Sequence, residues 1–213
     1  MTPAMLEIGL VAFTTFFATV GPIDAAAIFA GLTAGVPASH RRATALKAVA
    51  IAACILLMFV FFGADVLRYM GISMAALKTS GGILLLLVGI DMVLAQNSGI
   101  STTTEDEAEE AQHRADISVF PLATPLIAGP GAIGAAVLMV AKTDGDIKNL
   151  AMVIGALVSV LLITLICFIM ATQLQRILGV TGLNVISRII GVLLTALAVQ
   201  FIFDGIAASG LLG

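Results

Sequence analysis

Six long apolar runs dominate this chain of 213 residues and restrict what it can fold into. A helix needs about 20 apolar residues to cross the hydrocarbon core of a bilayer. The chain is 60% hydrophobic and only 11% charged, whereas soluble domains carry about 25% charged residues. We therefore predict an all-α membrane protein whose six transmembrane helices lie at about 7–33, 43–64, 71–95, 117–141, 148–172 and 182–208.

The net negative charge of the chain comes from one segment, residues 96–116, which has six acidic residues against Arg114. The segment is polar and lacks apolar periodicity, which predicts an acidic flexible linker, with a regulatory or binding role as the alternative. It separates residues 1–95 from residues 117–213, and each part has three predicted spans. The rest of the chain offers no strongly basic surface, so we expect no nucleic-acid partner.

Two predicted spans contain a glycine-proline pair near their middle. Gly21-Pro22 interrupts the first span, and Gly129-Pro130 lies in the fourth span, close to Pro125 and Gly131. Proline lacks a backbone donor and clashes with the preceding turn, while glycine leaves the backbone unrestrained. We predict that helices 1 and 4 are broken near the membrane midplane. The alternative is a kink that only improves packing.

The same offset links two pairs of motifs in the chain. Gly21-Pro22 and Gly129-Pro130 are 108 residues apart, and so are Arg68-Tyr69-Met70-Gly71 and Arg176-Ile177-Leu178-Gly179. Two matches at one offset indicate a duplication. Each half has three spans, an odd number, so the second half enters the membrane from the opposite side and the repeat is inverted. Inverted repeats with broken helices are typical of secondary transporters.

The breaks also have a chemistry that suits a small ligand. The second half of a broken helix begins with unpaired N–H groups and a partial positive charge, which can bind an anionic group such as a carboxylate. Small side chains beside the breaks leave room for it. The candidate substrate-binding residues are Thr19, Gly21, Pro22, Asp24 and Ala25 at the first break, and Thr124, Pro125, Gly129, Pro130, Gly131 and Ala132 at the second.

Asp24 is the most informative ionisable residue, because it lies one turn from a break and near midspan. Proton binding, cation binding and contact with a substrate ammonium are all open, and so is a capping role at the start of a half-helix. We expect Asp91 and Asp204, near span ends, to be solvated. We expect Asn184 and Gln200 to bond between helices.

The sequence shows no cluster of residues that a membrane enzyme or a metal site would need. Its two histidines, His40 and His113, fall in the first loop and in the linker. We therefore expect neither enzymatic activity nor a cofactor, and coupling of transport to H⁺ or Na⁺ stays open.

The distribution of Lys and Arg predicts the orientation in the membrane. Five of them fall on loops one, three and five, and three fall on loops two and four. The positive-inside rule then places loops one, three and five in the cytoplasm and both termini outside. We expect a multi-pass protein of the cell (inner) membrane, with homo-oligomerisation left open.

From Phe120 to Ile133 the sequence reads FPLATPLIAGPGAI, which resembles the MarC family of multi-pass bacterial and archaeal membrane proteins. Further similarity lies between Gly81 and Met92 and between Gln200 and Gly205. The resemblance implies six membrane spans. It also implies a relationship to archaeal transporters of small neutral amino acids, which belong to this family within a wider superfamily of amino-acid exporters.

The first break departs from the family pattern, which usually reads Asn-Pro-x-Gly there. This chain has Gly21-Pro22-Ile23-Asp24, so an amide is lost and a carboxylate is gained. The second break keeps the family pattern. The leading hypothesis is a secondary transporter or exporter of a small polar solute, expected to be a neutral amino acid, that works by alternating access around the breaks. The alternative is a membrane pore or a structural subunit.

Overall fold

A computed structural model describes residues 3–33, 36–94 and 117–210, so the predicted linker at 96–116 lies outside the described residues. Within these ranges the chain is helical and has no strand. The helices are α1 (Pro3–Val20), α2 (Pro22–Leu32), α3 (Ala38–Tyr69), α4 (Met74–Leu94), α5 (Ser118–Ile127), α6 (Pro130–Ala141), α7 (Ile147–Ile169) and α8 (Ala171–Ala208).

The prediction of an all-α protein with membrane-spanning helices is confirmed. Five stretches of the described chain are long and apolar enough to cross a membrane, and α5 with α6 makes a sixth if that bent pair is one span. The five are Met5–Leu32, Ala38–Gly63, Ala75–Leu94, Ile147–Ile169 and Arg188–Ala208. Each overlaps one of the predicted apolar runs.

The closest helix contact joins α4 and α8. A small residue recurs at every seventh position on each helix, namely Ala75, Gly82 and Gly89 on α4, and Gly191, Ala198 and Gly205 on α8. A Cβ atom built on Gly82 would lie 2.8 Å from the carbonyl oxygen of Ala198, and one built on Gly191 would lie 2.9 Å from that of Gly89. The two backbones therefore touch directly, and the helices run antiparallel.

This contact follows from the physics of packing in lipid. Burying an apolar side chain between helices gains little there, because lipid tails are equally apolar, so close van der Waals contact favours small residues. Gly205 extends the same backbone contact, which we call the α4–α8 seam. A Cβ atom on Gly205 would collide with the Thr79 hydroxyl and lie 3.0 Å from the carbonyl oxygen of Ala75.

The other helices pack around the α4–α8 pair. Helix α6 lies against α4, where Gly131 faces Val88 and Gly134 faces Leu84. Helix α2 packs against α8, helix α7 supports α1 and α2, and helix α3 supports α5 and α6. An aromatic pair fixes α2 to α7, because the rings of Phe29 and Phe168 stack with centroids 4.6 Å apart and planes within 1°.

Two side-chain predictions are wrong. Asp91 is only 9% exposed, so it is buried in the helix bundle and not solvated at a span end. Gln200 does not bond between helices, because its Nε2 donates to Asp204 Oδ1 at 2.8 Å, one turn along the same helix. The side chain of Asn184 lies outside the described part of the structure.

The α4–α8 seam predicts which glycines cannot be enlarged. We expect Gly82→Ala to destabilise the protein by about 1–3 kcal/mol, because its methyl group would press on the backbone of α8. Gly155→Ala is the matched control, since no atom lies within 4 Å of a Cβ at Gly155. The midpoint of heat-induced loss of monodisperse protein in detergent measures both, and equal midpoints would contradict the seam.

Candidate functional site

The first break lies at Gly21, between α1 and α2. Gly21 has φ 56° and ψ 59°, the left-handed conformation that glycine adopts without steric cost, and Pro22 occupies the first position of α2. Helical hydrogen bonding resumes with the bond from Ala25 N to Gly21 O at 2.9 Å. Pro22 has no N–H to donate, so the chain changes direction locally, although α1 and α2 still form one continuous candidate span.

Asp24 lies in the first turn of α2, at its third residue. Its side chain folds back towards the start of the helix, since a Cβ atom built on Gly21 would lie 3.5 Å from Asp24 Oδ2. A carboxylate in this position interacts favourably with the partial positive charge of the helix N-terminus. The geometry is compatible with the capping role, and it keeps the half-buried carboxylate beside the break.

The second break has a different local structure. Phe120 (φ −130°, ψ 128°) and Thr124 (φ −131°, ψ 128°) are extended, because each precedes a proline and proline excludes the helical conformation of the residue before it. The remaining turns of α5 are wide: Leu122 N donates to Ile117 O at 3.3 Å and Ala128 N donates to Ala123 O at 2.9 Å. Helices α5 and α6 meet at an angle of 54°.

Helix α6 begins at Pro130, immediately after Gly129. Gly129 is extended, with φ −79° and ψ 172°, and a Cβ atom on it would collide with the carbonyl oxygen of Pro125. The first helical bond runs from Ile133 N to Gly129 O at 3.0 Å, so the N–H groups of Gly131 and Ala132 have no acceptor within the helix. Gly131 and Ala132 are buried, whereas Pro130 is exposed.

The two half-helices therefore begin with different electrostatics. The first turn of α2 contains a carboxylate, Asp24, whereas the first turn of α6 contains no acidic residue. The partial positive charge at the start of α6 lies in a buried setting, where low polarity strengthens its attraction for an anion. The first turn of α6 therefore contributes no negative charge of its own, and the first turn of α2 does.

Helix packing brings the two broken pairs of helices into contact. Helix α1 packs against α6, and helix α2 packs against α5, so the first half of each pair lies beside the second half of the other. The residues that line this region are small, because Ala25, Ala26, Ala132 and Ala135 are all buried there.

The two candidate hydroxyl groups already make hydrogen bonds within their own helices. Thr19 Oγ1 donates to Thr15 O at 2.9 Å, and Thr124 Oγ1 donates to Val119 O at 3.1 Å. Each hydroxyl oxygen keeps its lone pairs, so Thr19 and Thr124 can accept a hydrogen bond from a ligand such as an ammonium group.

A charged cluster at the far end of α6 was not predicted. Lys142 Nζ lies 3.7 Å from Asp204 Oδ2 and 4.4 Å from the centre of the Phe201 ring, and Gln200 orients the same carboxylate. Lys142 ends α6, where a cation interacts favourably with the helix dipole. The Gln200–Asp204 pair could be found from its four-residue spacing, but its partner on α6 depends on tertiary structure.

No metal site accompanies these groups, since the described residues contain no set of three His, Cys, Asp or Glu side chains that could hold an ion.

The geometry of the second break predicts that position 129 must be glycine. We expect Gly129→Ala to cost about 1–3 kcal/mol of stability, because the new methyl group would displace the Pro125 carbonyl. Gly134→Ala in the helix that follows is the control, since its Cβ would lie 3.8 Å from Leu84, an ordinary contact. Unfolding by sodium dodecyl sulfate, followed by far-ultraviolet circular dichroism, compares them, and a tolerated Gly129→Ala would contradict this geometry.

Residues 6–209 match the protein family that is described as MarC family integral membrane protein. The UPF0056 membrane protein MJ1677 of Methanocaldococcus jannaschii is 38% identical over 94% of this chain and 97% of its own length. YvbG of Bacillus subtilis is 34% identical, over 91% of this chain and 92% of its own. YhcE of Escherichia coli is 36% identical, over 91% of this chain and 89% of its own length.

These relatives are named as membrane proteins, and their names assign no activity. No solved structure matches the chain.

Proposed function

Because the chain belongs to the MarC family of integral membrane proteins, we propose that it is a secondary transporter or exporter of small neutral amino acids. Transport would proceed by alternating access around the breaks at Gly21 and Gly129. The observation that carries the proposal is the first turn of α6, which is positively polarised, has no acidic residue of its own and contains the buried Gly131 and Ala132. Half-helix N-termini of this kind bind the anionic groups of substrates in transporters with broken helices.

The proposed substrate is a zwitterion, because the two breaks differ in charge. Its carboxylate would accept hydrogen bonds from the N–H groups of Gly131 and Ala132. Its ammonium group would lie near Asp24 and near the carbonyl oxygens that end α1, one of which lacks a donor because Pro22 has no N–H. The buried Ala25 and Ala132 favour a small side chain on the substrate.

The arrangement of helices supports an inverted repeat of residues 1–95 and 117–213. In this repeat, α1, α2, α3 and α4 correspond to α5, α6, α7 and α8. The main helix contacts come in corresponding pairs: α2 packs on α8, for example, and α6 packs on α4. Gly71 and Gly179, which occupy equivalent positions, both have positive φ, at 70° and 61°. The two halves would alternate in opening the site to each side of the membrane.

We also propose how the protein is oriented in the membrane and where an ion is coupled to transport. We place the protein in the cell (inner) membrane with loops one, three and five in the cytoplasm and both termini outside. Asp24 is the proposed site of coupling to H⁺ or Na⁺. The protein would act without a cofactor and without enzymatic chemistry.

Transport in proteoliposomes tests the proposal directly. We expect saturable uptake of labelled alanine, glycine or serine, and we expect Gly131→Leu to reduce it at least about tenfold, because a branched side chain would cover the N–H groups that bind the carboxylate. Gly155→Leu, on an open face of α7, is the control. No flux of any small amino acid through folded protein would refute the substrate class, and conductance without saturation would indicate a pore.

The charge of Asp24 has its own test. We expect Asp24→Asn to change the dependence of uptake on pH or on Na⁺ more than it changes the yield of folded protein, because the amide keeps the size of the side chain but not its charge. Transport measured from pH 5.5 to pH 8.5, with and without Na⁺, gives the comparison. Unchanged transport in every condition would restrict Asp24 to capping α2.

A further inference from the structure

A pocket lies away from the breaks, between the start of α3 and the junction of α7 with α8. Its volume is about 150 Å³, and it is lined by Ala38, Arg41, Arg42, Phe168, Ile169 and Gln173. This volume equals that of about five water molecules, which is enough for a phosphate group. Two guanidinium groups and one amide are its polar lining.

The two arginines keep most of their hydrogen-bonding capacity for a ligand. Arg41 Nη1 donates to Thr172 Oγ1 at 2.7 Å, which fixes one edge of the guanidinium and leaves its other N–H groups available. Within the ranges that the structure describes, neither Arg41 nor Arg42 has a carboxylate partner. A pocket lined by two cations that have no carboxylate partner in the described part of the chain favours an anion, and the guanidinium fork matches the geometry of phosphate.

The floor of the pocket is apolar and well supported. Phe168 is only 2% exposed, and its ring stacks on Phe29 of α2. A ligand would therefore place its polar group against the arginines and not deeper in the bundle.

The position of the pocket along the helices indicates the source of the anion. Ala38 begins one candidate span and Ile169 ends another, so the pocket lies at the level of the lipid headgroups. One turn further into the spans, Leu46 and Ile166 are each 55% exposed, and Ile169 in the pocket lining is 42% exposed. These side chains offer an apolar surface on which acyl chains can lie beneath a bound headgroup.

We propose that this pocket binds the phosphate group of an anionic phospholipid. Basic pockets between membrane helices on the cytoplasmic side are typical binding sites for such headgroups. The pocket is formed by the regions of loops one and five, which the positive-inside rule assigns to that side. This site is separate from the breaks and does not depend on the transported substrate.

Two substitutions test the site while leaving the Arg41–Thr172 hydrogen bond in place. Arg42→Ala removes one guanidinium group, and Gln173→Glu adds a negative charge to the wall of the pocket. Lys148→Ala, which removes an exposed cation at the other end of α7, is the matched control. The measurement is the dissociation constant of added phosphatidylglycerol or phosphatidylcholine, obtained by native mass spectrometry of the full-length protein in detergent.

We expect phosphatidylglycerol to bind more tightly than phosphatidylcholine, and we expect Arg42→Ala and Gln173→Glu each to weaken it at least about fivefold. Lys148→Ala should leave its affinity unchanged. Equal affinity for the two lipids, equal weakening by the control, or unchanged binding in both pocket variants would overturn the proposal. So would displacement of phosphatidylglycerol by millimolar inorganic phosphate, because it would show that the site recognises phosphate without acyl chains.

Discussion

The direct backbone contact between α4 and α8 is the interaction on which the remaining packing depends. Gly82, Gly89, Gly191 and Gly205 let the two helices touch without intervening side chains. Helix α6 then packs on α4, and α2 packs on α8, so each half-helix has one face on a fixed scaffold. The start of a half-helix can remain without side-chain capping only because the helix is held by such contacts along its length. The shared scaffold therefore makes the breaks structurally tolerable.

The helices that follow the two breaks begin in chemically different ways. At Gly21 a left-handed residue turns the chain and Asp24 lies over the exposed helix end. At Gly129 the chain arrives from a widened helix and no side chain of the first turn of α6 carries negative charge. Asparagine and glycine are the residues that most readily adopt a left-handed backbone. Gly21 fits this conformation without steric cost, and the first turn that follows it carries the carboxylate of Asp24.

Sequence patterns predicted the spans and the places where helices begin again, because hydropathy and proline act locally. Pro22 and Pro130 both occupy the first position of a helix, as their missing N–H groups require. The widened form of α5 was harder to predict, since it depends on how Pro121 and Pro125 act together. Contacts between distant residues, such as Lys142 with Asp204 and the burial of Asp91, could not be predicted, because they depend on which helix faces which.

The seven-residue spacing of the small positions also restricts how the chain can change in length. An inserted residue between Gly82 and Gly89 would rotate the rest of α4 by about 100° and turn Gly89 away from Gly191. Compensation would need a simultaneous change at the matching level of α8, about a hundred residues later. Insertions and deletions should therefore be excluded from the paired stretches of α4 and α8 and be tolerated in exposed connections such as residues 144–145. For this pair of helices, length is under stronger constraint than the identity of any lipid-facing side chain.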